Sequence, residues 1–255
     1  MDEARPIRLV TFDLYDTLIE LRPRRWERLA AVLARLGIDA DEDTLRAADR
    51  LAEDYYTEEN GRLPIRNRPR AEREAYRIRY MTRWLDAAGL PADPATVRAA
   101  REGYLAEFET AAVADSPAGG YHVFDDVLPA LANLRRAGIK RAVISNADAD
   151  VTALCTHLAF AHDLNAIVTS ALVGWEKPDV RTFRAALDPL GVDPADALHI
   201  GDQPRSDVAG ALATGMRATL LDRYGRHDPA AIGVPVVRTL QELADHVLAT
   251  NSAAV

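Results

Sequence analysis

The order of elements predicts a doubly wound α/β fold: a parallel, Rossmann-like sheet with a helical segment inserted after its first strand. Three observations carry this. Residues 7–13 (IRLVTFD) are a short β-branched apolar run that reads as a buried strand. Beyond residue 121, short apolar runs alternate with helical periodicity, the pattern of parallel strands covered on both faces. From about residue 24 to 112 the periodicity is helical throughout.

In chain order, a helix over 24–36 ends at Gly37, a C′ glycine, and a second covers 41–59. Pro69 opens a third that runs to Gly89, and Asp93-Pro94 supplies an N-cap and an N1 proline for a fourth. Residues 114–120 (ADSPAGG) are loop and hinge. A helix over 125–137 then stops at Gly138, and strand 141–145 (RAVIS) follows. A helix near 148–158 leads to strand 166–169; a helix over 179–190 stops at Gly191 before strand 197–201 (ALHIG). Helix 206–214, strand 217–221, a short strand near Val236 and a helix over 239–249 complete the alternation. The expected organisation is an α/β core of residues 1–19 and 121–255, with residues 20–120 folding as a helical lid.

Composition excludes several classes. With 48% apolar and 27% charged side chains over 255 residues, the chain is globular. No apolar run is long enough to span a bilayer, and the first residues carry no apolar signal core, so a cytoplasmic protein is expected. The lone cysteine, Cys155, is read as a small buried side chain, in keeping with a reducing compartment. A net charge of −8 argues against nucleic acid or anionic membrane as partner. A monomer or homodimer is expected.

In open α/β sheets ligands bind beyond the carboxyl ends of the strands. Polar clusters stand at four such places: Asp13-Leu14-Tyr15-Asp16-Thr17, Ser145-Asn146, Glu176-Lys177-Pro178, and Gly201-Asp202-Gln203-Pro204-Arg205-Ser206-Asp207. Lys177 stands out, because only it and Lys140 are lysines among 31 basic residues. A compact ammonium acts as a point charge where a forked guanidinium fits differently.

These clusters, in this order, resemble the four motifs of the haloacid dehalogenase-like hydrolases: FDLYDTL, ISN, EKPD and GDQPRSD. The helical insert resembles the cap of their subclass I. The resemblance implies that Asp13 is the nucleophile, forming an ester that water hydrolyses. It implies Mg²⁺ held by Asp13, Asp202 and the Tyr15 backbone carbonyl, with Asp207 supporting the site. It makes Lys177 the charge beside the nucleophile. Ser145, with the Asn146 backbone N–H as a further donor, is placed to bond a phosphoryl or carboxylate oxygen, and Tyr15 and Thr17 of the first motif count among the catalytic residues. The implied substrate is a small phosphorylated, anionic metabolite.

One position departs from the pattern. The family's phosphatases place an acid two residues after the nucleophile; here it is Tyr15, as in 2-haloacid dehalogenases, whose leaving halide needs no proton. Those enzymes lack the acid that Asp202 represents. A missing general acid costs about 10²–10⁴ in rate, whereas an uncompensated carboxylate pair would disable the nucleophile itself. The metal-dependent phosphatase reading therefore leads, with preference for good leaving groups. A dehalogenase using Asp13 on carbon stands second. A catalytically weak binding or regulatory protein of this fold stands third.

Residues 62–83 hold eight arginines against Glu72 and Glu74. On a helix from Pro69, Arg70, Arg73 and Arg77 share a side with Tyr76, Tyr80 and Trp84, and Arg79 and Arg83 point away. The six histidines show no metal-ligand spacing and are read as surface or packing residues.

Overall fold

The computed structural model describes residues 5–113 and 118–253. The chain divides into two compact units, residues 1–20 with 122–255, and residues 21–121. Its elements in order are β1 (Leu9–Phe12), β2 (Ile19–Leu21), α1 (Arg25–Arg35), α2 (Glu42–Arg62), α3 (Arg70–Ala87) and α4 (Pro94–Val113). β3 (Tyr121–Val123), α5 (Val127–Arg136), β4 (Lys140–Ser145), α6 (Thr152–His157), β5 (Ala166–Thr169), α7 (Ser170–Val173) and α8 (Val180–Leu190) follow. The last are β6 (Ala197–Gly201), α9 (Ala209–Thr214), β7 (Arg217–Leu221), α10 (Pro229–Ile232), β8 (Val236–Val237) and α11 (Leu240–Ala253).

Six strands form one parallel sheet in the order β5-β4-β1-β6-β7-β8. β1 lies at its centre, with Phe12 opposite Val143 of β4 on one side and Ile200 of β6 on the other. The winding reverses about β1, so its carboxyl end is the topological switch point. Leu9, Val10 and Phe12 are fully buried, as a strand covered on both faces requires. A core of Leu9, Ile144, Val168, Phe183, Leu187 and Leu220 fixes β1 against its neighbours.

Helix boundaries follow local chemistry. Asp179 accepts the Arg181 N–H and starts α8, and Gly191 ends it at φ 62°, in the left-handed region. α6 is shorter than the sequence pattern suggests, because Asp150 accepts the N–H and hydroxyl of Thr152 and delays the first turn. α11 runs on to Ala253, and Asn251 on it bonds both backbone groups of Ile7, at 2.7 and 2.9 Å. β2 and β3, to which the sequence pattern assigns no element, form a separate two-stranded sheet. Of the loop expected at 114–120, residues 114–117 lie outside the described residues.

The second unit contains α1–α4. Its core is aromatic: Tyr55 stacks on Tyr76 at 5.6 Å, and Trp84 meets Tyr80 and Tyr104 edge-on. The fully buried Trp84 donates its indole N–H to the Leu45 carbonyl. The arginines that point away from Tyr76, Tyr80 and Trp84 find a partner on another helix. Arg83 lies 4.3 Å from the Tyr55 ring centre and Arg79 donates to the Tyr55 hydroxyl, although both, like Arg70 and Arg77, are exposed. Tyr55 sits on α2, and α2 packs beside α3, so Arg79 and Arg83 meet an aromatic ring there.

Candidate active site

The first strand ends in a tight loop. Asp13 takes a backbone bond from its N–H to the Ile200 carbonyl, 2.9 Å, which pins it beside β6. Asp16 has φ 55°, uncommon for a non-glycine residue and costly by about 1–3 kcal/mol. Arg223, two residues past the end of β7, holds this loop: it donates to the Thr17 carbonyl at 2.8 Å and grips Asp126 with two bonds of 3.0 Å. Sequence reasoning passed over Arg223, because nothing local marks a loop arginine as the brace of a loop some two hundred residues earlier.

Lys177 occupies the centre. Its ammonium lies 2.6 Å from Asp13 Oδ1 and 2.6 Å from Asp207 Oδ1, with its side chain only 2% exposed. Asn146 positions it. The Asn146 side-chain oxygen accepts the Lys177 N–H at 2.8 Å, and its amide donates to the Lys177 carbonyl at 3.0 Å. The sequence reading gave Asn146 a role through its backbone N–H; the structure shows its side chain clamping the third strand-end cluster. Lys140 instead donates to the Leu190 carbonyl at the end of α8.

Gly201 and Asp207 explain the spacing of the fourth cluster. A Cβ at Gly201 would lie 2.2 Å from the Asp207 carboxylate carbon, so only glycine admits that side chain. A wide π-type turn, Pro204–Val208, carries Asp207 back over the strand end. Asp207 Oδ2 accepts the Gln203 N–H at 2.9 Å, and Oδ1 is shared by Lys177 and by His199 Nε2 at 3.2 Å. Both oxygens are thus engaged within the protein, which makes Asp207 an anchor for Lys177.

His199 is the residue whose reading as mere packing the structure changes. It is buried in the middle of β6, and its Nδ1 lies 2.8 Å from the Thr11 hydroxyl. A carboxylate only accepts, so Nε2–H donates to Asp207 and Nδ1 of the neutral ring accepts from Thr11. Burial lowers its pKa, against the pull of Asp207. The sequence signal was a polar residue inside a fully buried strand, which must find a partner.

Asp13, Asp202 and Asp207 are all buried, and one oxygen of each lies within 4.8 Å of the others. One ammonium serves two of these carboxylates, and they divide it unequally. Burial pushes the Asp13 carboxyl up to about 6 against the pull of Lys177. For Asp207 burial also raises the pKa, but Lys177 and His199 outweigh it and hold it well below the ordinary range. Asp202 is driven well above its usual value by burial, with Arg226 opposing and Asp16, Asp13 and Asp207 adding to the rise. Burial works against the charge on Lys177 too, but Asp13 and Asp207 prevail and keep it protonated.

Three clustered carboxylates are hard oxygen donors, and their excess negative charge suits a divalent cation with oxygen ligands. The donor set therefore fits a metal. Asp202 receives both Arg226 Nη2, at 2.9 Å, and Gln203 Nε2, at 3.2 Å, on Oδ2. Its Oδ1 accepts no hydrogen bond among the described residues. The Ser145 and Thr17 hydroxyls are buried and have no hydrogen-bond partner among the described residues. Tyr15 is half-buried in the loop after β1.

The match to the haloacid dehalogenase-like hydrolase family model extends over residues 7–215. The chain belongs to that family. Among its relatives is the mouse haloacid dehalogenase-like hydrolase domain-containing protein 3, 30% identical over 222 residues, or 84% of this chain and 82% of that protein. A phosphoserine phosphatase of Thermus thermophilus is 37% identical over 113 residues, 44% of this chain and 45% of that one. Among solved structures, a 2-haloacid dehalogenase of Pseudomonas syringae is similar at 28% identity, with a TM-score of 0.54, 95% of this chain and 98% of that chain covered. Members named as phosphatases and as dehalogenases thus both stand near this haloacid dehalogenase-like hydrolase. Among its described residues no helix is long and apolar enough to cross a membrane.

Proposed function

We propose that this hydrolase is a Mg²⁺-dependent phosphatase that releases phosphate from a small phosphorylated metabolite through an aspartyl phosphate at Asp13. The observation that carries the reading is the buried Asp13–Lys177 contact of 2.6 Å, with Asp202 and Asp207 in the same cluster at the switch point of the sheet. An Asp13 oxygen attacks phosphorus and the ester P–O bond breaks, its electron pair leaving on the departing oxygen. Water then attacks phosphorus, releasing phosphate and restoring the carboxylate. Lys177 keeps Asp13 oriented and places positive charge beside the transferring group. Asn146 and Asp207 hold Lys177, while the unpartnered hydroxyls of Ser145 and Thr17 are of the kind that phosphoryl oxygens satisfy. Mg²⁺ bound to Asp13, Asp202 and the Tyr15 carbonyl would offset the repulsion between carboxylates and phosphoryl group.

Tyr15 leaves the departing alkoxide without an acid two residues from the nucleophile, so aryl and acyl phosphates should outrun alkyl ones. A second reading is favoured by the same residue together with the Arg226–Asp202 pair, which neutralises the second acid by protein means: a dehalogenase with Asp13 attacking carbon. A panel of phosphate esters of graded leaving-group pKa and of 2-chloro acids, with Mg²⁺ or chelator, separates them. Chelator-sensitive phosphate release with kcat/KM rising as leaving-group pKa falls is expected. Halide release indifferent to chelator would overturn the phosphatase.

A further inference from the structure

The loop after β7 carries a second cation into the carboxylate cluster. Asp222, itself buried, accepts the Arg226 N–H at 2.8 Å on one oxygen and the His227 N–H at 3.0 Å on the other. Gly225 before it turns the chain at φ 68°. The backbone is thus stitched at the residue that projects inward. The Arg226 side chain is 6% exposed and its Nη2 lies 2.9 Å from Asp202 Oδ2.

Each of the three clustered aspartates therefore already touches a protein cation: Asp13 and Asp207 share Lys177, and Asp202 has Arg226. A centre built only to receive a divalent ion gains nothing from the second of these. A guanidinium does not lose its proton in proteins, so its charge beside a ligand oxygen repels an incoming cation at every pH. Burial keeps that repulsion poorly screened. The hydrogen bond also draws negative charge on Asp202 away from the side that Oδ1 presents.

We propose that Arg226 is a built-in counter-charge for Asp202 that weakens divalent-cation binding and lets the centre persist, with less uncompensated negative charge, without metal. The proposal rests on the metal-binding reading of the site. It differs in sign from a positioning role, in which a partner that orients a ligating carboxylate strengthens metal binding.

Calorimetric titration of the full-length protein with MgCl₂ and MnCl₂ decides between them, alongside thermal midpoints in chelator and in saturating Mg²⁺. Arg226→Gln is expected to bind Mg²⁺ about tenfold tighter or more, while Arg226→Lys, which keeps the charge, stays within about threefold of the wild type. In chelator, Arg226→Gln should melt lower than the wild type, and Mg²⁺ should raise its midpoint by more. If Arg226→Gln is unfolded in chelator, Mg²⁺ is expected to restore its fold, and a variant still unfolded at saturating Mg²⁺ overturns the proposal. Equal or weaker Mg²⁺ binding by Arg226→Gln also overturns it, leaving the metal site intact. Absence of binding in both proteins instead removes the metal reading, and this inference with it.

Discussion

The strand-end cluster of the α/β unit and the arginine-rich stretch of the helical unit use charge in opposite ways. At the strand ends, three aspartates, one lysine and one arginine are almost wholly removed from water, and each has a specific partner within 3 Å. In the helical unit, Arg62 pairs with Glu58 and Glu59 while 66% exposed, and Arg101 pairs with a half-exposed Glu74. Glu58 and Glu59 lie one helical turn before Arg62. The lesson concerns magnitude: few charges in a dry site can outweigh many in a wet one, because water screens the second set and leaves the first to its partners.

The sharpest way to break the comparison is Lys177→Met. It strands two buried carboxylates, so urea unfolding should show a loss of about 3–5 kcal/mol, with kcat down by on the order of 10²–10³. A loss no larger than that of a surface charge would mean water reaches the cluster. Asp13→Asn probes the same site through pH. In metal-free protein the Asp13 pKa is raised to about 6, so its stabilising contribution is present below the unfolded value and lost as pH rises. The unfolding free energy of wild type minus that of Asp13→Asn should therefore fall by about 3 kcal/mol between roughly pH 4 and 6. A difference constant with pH would show that Asp13 ionises as in the unfolded chain.

Asn146→Ala removes both bonds to the Lys177 backbone. It should cost about 1–3 kcal/mol of stability and, by letting the ammonium drift, up to about 10²-fold in kcat. Substrate KM should change little; a change confined to KM would assign Asn146 to binding. At the bottom of the scale, Arg62→Ala should shift unfolding by no more than about 0.5 kcal/mol despite its two glutamates. A larger shift, abolished by salt, would show that the exposed network acts cooperatively.

Much of this was legible beforehand, for identifiable reasons. Asp13, Asp202 and Asp207 stand in polar clusters that follow apolar runs, where a parallel sheet puts its ligand edge, and Lys177 stands out as one of two lysines. The arginine stretch was less legible, for an equally physical reason. Counting charge over 62–83 left out Glu58 and Glu59, which sit just upstream on α2 and hold Arg62 and Arg68. Spacing along one helix also could not show that the adjacent helix supplies Tyr55 to Arg79 and Arg83. His199 was missed because its partners, Thr11 and Asp207, come from a neighbouring strand and from a turn that folds back.

What the chain determined by itself was the succession of strands and helices and which residue types stand at each strand end. Periodicity, caps and glycine stops act over a few residues and can be read there. What the tertiary structure decided was who neutralises whom. Lys177 lies 164 residues from Asp13 and 30 from Asp207, and Arg226 lies 24 from Asp202. Such pairs exist only once crossovers lay β1, β4, β6 and β7 side by side, because electrostatic energy follows separation in space, on which spacing along the chain is silent.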